Sequence, residues 1–376
     1  RVPAPTRPPI WMVVLVLGGI AAYLMARVQV LPSLAGGDIP AADNPLVDYG
    51  IGARFLTAGK VYFHYLRLLV APVALSADYS ANAITVAESL GDPDAFAGLV
   101  LMALSIGALV FTSVRRPAVA ACLALFAVLY SLLSHLVILN TILLAERLLY
   151  LPSLAFAALV GVVAMGAVRA VHRPIAQRVL LAFGLLVIAL YAGRSMHRVG
   201  DWRDPVSLFR SSLAAFPDSA RARYNLGRQL SLRNDLEGAE AELVEATLIL
   251  PGDAQALTTL ANVRFRMGRY ATSLQSAEAA FAARPSGRRA ALVCRGRVAA
   301  GKHQAALELC GTAAADRPGD AEVRFFWATA LLETGDKAAA AAVVREATEI
   351  EPNNPAILSL QRRLYGQKLD PPHRSP

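Results

Sequence analysis

The sequence predicts an all-α chain in two parts, a multi-spanning helical membrane domain followed by a solenoid of paired helices. Three observations predict it. Apolar runs long enough to cross a bilayer crowd the first 200 residues. Beyond Trp202, Pro217, Pro251 and Pro285 recur every 34 residues, the period of a helix–turn–helix repeat. The whole chain is 55% hydrophobic and only 17% charged, with a mean hydropathy of +0.44, whereas soluble domains carry about 25% charged residues.

In the first part (1–200), runs of roughly 20 apolar residues predict spans near 10–32, 95–114, 118–139 and 148–168, with a fifth, shorter one at 179–193. The break between the second and third is Arg115-Arg116-Pro117. The fifth is flanked by Arg178 and Arg194, whose side chains can reach the headgroups. The segment 59–75 is apolar and aromatic but carries His64 and Arg67 and is broken by Pro72. It reads as an interfacial or re-entrant helix on the outer face.

Positive charge sets the orientation. Arg1, Arg7, Arg115, Arg116, Arg169 and Arg178 place their loops in the cytoplasm, so residues 33–94, 140–147 and everything after 194 fall outside. If 59–75 spanned, the downstream topology would invert. The net charge of +9 gathers at the ends of apolar runs, as membrane anchoring requires, and argues against a nucleic-acid partner.

The second part (201–366) reads as a tetratricopeptide-repeat (TPR) superhelix. A lead-in helix at 205–216 precedes repeats at 220–253, 254–285, 286–318 and 321–352, and a capping helix at 355–364 closes the apolar face. Leu226 and Gly227 form the close-packing pair of the first repeat, with Ala239, Leu243, Ala246 and the closing Pro251. Ala261 and Pro285 repeat the pattern in the second, and Ala328, Ala347 and Pro352 in the fourth. Residues 367–376 read as a flexible tail. Such an array is a protein- or peptide-binding surface.

Cys294 and Cys310 fall on facing helices of the third repeat. They are either a disulfide, if the array is outside, or two small core residues. Cysteine and histidine spacings give no metal site. The chain starts at Arg1 instead of Met and reads as a cut end with a region upstream. Its wealth of Ala and Arg suggests a GC-rich bacterium, and hence an inner-membrane location with the TPR part periplasmic.

Chemistry is expected on the outer loops, because ionisable groups at a membrane face are costly. Glu146 and Arg147, with Tyr150, sit at the mouth of the fourth span, and Arg147 could hold a phosphate bidentately. Asp78, Tyr79 and Ser80, with His64 and Arg67, could line the same outer cavity. Blander roles stay open: Arg147 pairing with Glu146 or anchoring at headgroups, Asp78 capping a helix, His64 and Arg67 wetting one side of an interfacial helix.

Asp43-Asn44-Pro45, the run from Leu69 to Ser80, Ala145-Glu146-Arg147-Leu148-Leu149-Tyr150-Leu151-Pro152-Ser153, Trp202-Arg203-Asp204 and Asn225-Leu226-Gly227 together resemble one family. It is the transmembrane-and-TPR protein O-mannosyltransferases, among the multi-spanning type C glycosyltransferases, and the likeness is to the C-terminal part of its architecture. The resemblance implies transfer of a mannose-like sugar from a polyprenyl-phosphate donor to a protein hydroxyl on the outer face. It also implies a catalytic acid on the first outer loop, acting as general base and expected upstream of residue 1. No cofactor beyond that donor follows. A non-enzymatic membrane-anchored TPR scaffold and a polyprenyl-linked glycan ligase or lipid glycosyltransferase are the competing readings.

Overall fold

The computed structural model of the chain describes Met25, Gln29, Ile39 and residues 44–79, 83–136 and 139–365. The expected first span (10–32), Asp43, Ser80 and the tail 367–376 lie outside the described residues, apart from Met25 and Gln29, which are helical. The described residues are helices and their connections, with no strand among them. They form two compact units, Arg1–Asp201 with Ala214–Pro217, and Trp202–Leu213 with Asp218–Pro376.

In the first unit, α1 (Ile51–Val70) packs against α2 (Pro93–Arg115), followed by α3 (Pro117–Ser131), α4 (Tyr150–Ala170) and α5 (Pro174–Asp201). Three helical stretches among the described residues are long and apolar enough to cross a membrane: Pro93–Arg115, Glu146–Ala170 and Pro174–Asp201. Asp92 starts α2, its carboxylate accepting from the Asp94 and Ala95 N–H groups, with Pro93 at the first helical position. Gly59 and Gly98 let α1 and α2 approach backbone to backbone. A Cβ on Gly98 would land on the Gly59 carbonyl.

Three expectations need correction here. The segment expected at 59–75 is a helix that begins at Ile51 and stops at Val70. Pro72 cannot continue it and pushes Ala71 out of the helical region. The expected span 118–139 is a helix of only 15 residues, about 22 Å at 1.5 Å per residue. It ends because the chain turns at Ser134-His135. There His135 takes a left-handed φ of 61° and Nε2 lies 2.8 Å from the Leu143 carbonyl. Conversely, the short span at 179–193 is part of a 28-residue helix running through Arg194 and Arg198. Arg194 donates to the Pro72 and Val73 carbonyls at 2.9 and 2.8 Å, and Tyr191 to those of Leu69 and Val70. The carbonyls left unpaired at the end of α1 claim that arginine in place of the headgroups.

In the second unit, α6 (Pro205–Ala215) leads into four helix pairs. They are α7 (Ala220–Leu232) with α8 (Leu236–Ile249), α9 (Ala254–Arg266) with α10 (Tyr270–Ala283), α11 (Gly287–Ala299) with α12 (His303–Asp316), and α13 (Ala321–Glu333) with α14 (Lys337–Ile350). α15 (Pro355–Tyr365) follows. Ser219, Asp253, Ser286 and Asp320 cap the first helix of each pair through their side chains. The turns inside the pairs pass through positive φ at Asn234, Gly268, Gly301 and Gly335, a region that glycine enters without a Cβ penalty and asparagine tolerates. These two ladders carry the repeat as clearly as the prolines. Leu226, Ala239, Leu243, Ala246, Ala261, Ala328 and Ala347 are all buried. Cys294 and Cys310 form a disulfide joining α11 to α12, with Cα atoms 5.1 Å apart.

Candidate functional site

The start of α4 and the loop after α1 are tied together by one carboxylate. Glu146 lies in a short 3-10 turn, Glu146–Leu149, that feeds α4. Its Oε1 accepts from the Ser76 backbone N–H at 2.6 Å and from the Tyr79 hydroxyl at 2.7 Å. Ser76 closes the loop on itself: its N–H also approaches the Tyr79 oxygen at 3.2 Å, and its Oγ donates to the Asp78 carbonyl at 2.7 Å. Asp78 thus enters the site through its backbone. Tyr79 is buried, its ring edge-on to Phe216 with centroids 5.1 Å apart. Burial, and then the Glu146 charge beside it, push its hydroxyl far above the usual phenol range. It therefore remains a hydrogen-bond donor at all ordinary pH.

Arg147, next in sequence, takes no part in this clamp. It is exposed and makes no hydrogen bond or ion pair among the described residues, so the pairing with Glu146 that the sequence left open does not form. Tyr150, one turn on, is 80% exposed. Below them Tyr65 of α1 accepts from the Ala145 N–H at 3.4 Å, and burial raises its hydroxyl to about 12.

A second polar group lies along α1 and the start of α2. His64 Nδ1 accepts from Arg67 at 3.2 Å, while Nε2 faces the Asp94 carboxylate at 3.5 Å. Burial and the neighbouring Arg67 charge hold the imidazole down to about 4, against the pull of Asp94. One turn earlier, Lys60 donates to Asp92 at 2.7 Å and to Thr85 Oγ1 at 3.0 Å, almost wholly buried. Burial raises the Asp92 carboxyl, but the Lys60 bond and the capping N–H groups outweigh it and hold it below the usual range.

The structure therefore brings Tyr79 to Glu146 and His64 to Arg67, and leaves Arg147 and Tyr150 open. Ser80 lies outside the described residues. Lys60, Ser76, Asp92 and Asp94 were not singled out from the sequence. Lys60 could have been, since a cation inside an apolar aromatic run needs a partner. Asp92-Pro93 is a helix-start signature that would have supplied that partner. No group of three or more metal-ligating side chains occurs among the described residues.

Comparisons with known proteins agree with this layout. The family described as Protein O-mannosyl-transferase TMTC, DUF1736 matches residues 31–106, and tetratricopeptide-repeat families match residues 192–254 and 297–364. Protein O-mannosyl-transferase TMTC3 of Mus musculus is 28% identical over 254 residues, 65% of this chain and 26% of that protein. Protein O-mannosyl-transferase Tmtc2 of Drosophila melanogaster is 40% identical over 110 residues, 29% of this chain and 11% of that one. The chain thus spans about a quarter or less of the length of these curated relatives. Among solved structures, YrrB, described as a TPR protein with an unusual peptide-binding site, aligns at 22% identity over 42% of this chain and 81% of its own, with a TM-score of 0.38.

Proposed function

We propose that this chain, which belongs to the transmembrane-and-TPR O-mannosyltransferase-like family, serves a membrane glycosyltransferase. That enzyme moves a mannose-like sugar from a polyprenyl-phosphate donor to a protein hydroxyl. The acceptor oxygen forms a bond to the sugar's anomeric carbon and the bond from that carbon to the phosphate oxygen breaks. Polyprenyl phosphate departs, and the hydroxyl proton passes to a general base. The observation that carries the assignment within this chain is Arg147: an exposed, unpaired guanidinium at the start of an apolar helix, where a lipid-linked phosphate would sit. Glu146, its Oε1 bonded to Ser76 and Tyr79, ties the loop after α1 to the start of α4. Tyr150, three residues beyond Arg147 and exposed, offers a hydroxyl to the same phosphate, and the loop of Asp78 and the His64–Arg67 pair of α1 belong to the same outer face. The repeats hold the protein acceptor or a partner.

The outer-face orientation rests on the distribution of arginines and is supported by the Cys294–Cys310 disulfide, since disulfides persist in oxidising compartments. In a bacterial cell that face is the periplasm.

The test is binding of a short-chain polyprenyl-phosphate mannose to the chain reconstituted in vesicles. Arg147→Ala is expected to weaken it about 100-fold, the loss of a charge-assisted pair of hydrogen bonds. Unchanged donor binding would remove Arg147 from the site. No donor binding by the unaltered chain, with partner binding intact, would favour a membrane-anchored scaffold.

A further inference from the structure

The second and third TPR repeats depart from their neighbours in charge. Across residues 254–318 there are ten Lys and Arg against three Asp and Glu. The flanking repeats are acidic, with four against six in 220–253 and three against six in 321–352. Several of these cations are already neutralised. Arg264 and Arg269 bind Glu240, and Arg297 reaches Glu278.

Three others line a cavity of about 220 Å³ between successive repeats: Arg288, Arg295 and Arg317, with Asn262 and Phe326 in its walls. Arg317 is held by Asp320 at 2.8 Å. Arg295 stacks its guanidinium over the Phe265 ring at 4.2 Å, binds the Asn262 side chain and reaches Glu322 at 3.3 Å. Its Nε is nevertheless buried with no partner. Arg288, seven residues before it on α11 and so on the same face, is exposed and unpaired among the described residues. A guanidinium held rigid by the Phe265 ring and Asn262, with a free one beside it, forms a preorganised receptor for a carboxylate. The excess of cations over two repeats provides for more than one.

We propose that this groove binds an acidic stretch of polypeptide, a side-chain carboxylate seated between Arg288 and Arg295 over the Phe265–Phe326 aromatic floor. This rests on the reading that the repeat array holds a polypeptide, and it supplies the chemistry of that polypeptide: Asp- or Glu-rich sequence near the segment presented to the membrane unit.

The experiment titrates the full chain, in detergent micelles, against a fluorescein-labelled glutamate-rich peptide with an amidated C-terminus, read by anisotropy. The control is the glutamine isostere with a free C-terminal carboxylate. The glutamate peptide binds and the glutamine one does not. Arg288→Glu, at an exposed position with no partner to lose, weakens binding at least about tenfold. Arg295→Gln weakens it further, and raised salt weakens it in the unaltered chain. Equal binding of the two peptides, or unchanged affinity in Arg288→Glu, overturns the proposal. Donor binding is measured on the same proteins. Lost peptide selectivity with donor binding intact sinks this site alone, whereas selective peptide binding with no donor binding sinks the transferase reading alone.

Discussion

Leu104, Leu154 and Leu185 stand 62%, 67% and 68% exposed on α2, α4 and α5, while Leu226, Leu243 and Leu260 of the repeats are buried. The first unit also buries polar groups in bonded pairs: Lys60 on Asp92, the Tyr62 hydroxyl on Ser105, the Tyr130 hydroxyl on the Ala58 carbonyl. The second unit buries alanine, valine and leucine around small-residue helix crossings. The difference is one of solvent. In lipid an outward leucine costs nothing, so helices are joined by close glycine contacts and hydrogen bonds. In water, burying apolar surface drives the packing, at about 25 cal/mol per Å².

Gly98→Ala against Gly227→Ala is the sharpest test of that contrast. On Gly98 the new methyl meets the Gly59 backbone, which cannot move unless the helices part. On Gly227 it meets Leu243 Cγ at 2.7 Å, a side-chain atom in place of backbone, and the Ala239 carbonyl at 3.1 Å. We expect Gly98→Ala to destabilise the first unit by about 3 kcal/mol and Gly227→Ala the second by about 1 kcal/mol. Thermal melts in detergent followed by proteolysis of each unit will rank them. The reverse order would mean that the α1–α2 crossing is not what holds the first unit.

The disulfide separates the units in another way. Reduction, or Cys294→Ser with Cys310→Ser, releases a closure of 16 residues and is expected to cost the repeats roughly 3 kcal/mol. The first unit should not change. Trp327 packs against the cluster that holds both cysteines, so tryptophan fluorescence reports the loss. A reductant that left the fluorescence melt unmoved would contradict a stabilising role.

Legibility differed between the units for the same reason. The repeats were readable because packing geometry writes a period into sequence: proline, the small residues at Gly227 and Ala261, the closing alanines. The long spans were readable from apolar length alone. The end of α3 was not, because residues 132–139 remain largely apolar while the chain turns. The turn depends on His135 meeting Asn44, 91 residues away, and the Leu143 carbonyl. The run of α5 through Arg194 was hidden too, since its carbonyl partners belong to the loop after Pro72. Cys294–Cys310 was placed on facing helices but left open as a pair. The position of Arg147 was legible from its neighbours; that Glu146 would turn away to Ser76 and Tyr79 was not, as it needs a loop 70 residues earlier in the chain.

His64 makes the first unit sensitive to pH in a window where the repeats offer no comparable buried imidazole among the described residues. Its folded-state value of about 4 lies below the ordinary 6.5, so the unfolded chain takes up the proton first. The contribution is complete above pH about 6.5 and falls away as the pH drops toward 4, by up to about 3 kcal/mol. His64→Gln should flatten the first unit's melting temperature across that interval and leave the second unit's profile unchanged. Asp92 adds a lower window: held below its usual range, it stabilises above pH about 4 and loses that contribution as acid titrates it.

The smallest expected effect tests whether the Glu146 loop is tied by one hydroxyl or by two donors. Tyr79→Phe keeps the ring against Phe216 and removes only the O–H that reaches Glu146 at 2.7 Å. The Ser76 N–H still serves the carboxylate, so the charge is not orphaned and the cost should be about 1 kcal/mol. The informative readout is local. If the hydroxyl fixes the loop, hydrogen exchange at Ser76, whose N–H points at the same oxygens, will quicken in Tyr79→Phe while exchange in α2 stays as it was. Exchange unchanged at Ser76 would assign the tie to the Glu146–backbone bond alone, making the polar clamp of the membrane unit a main-chain device like the helix caps of the repeats.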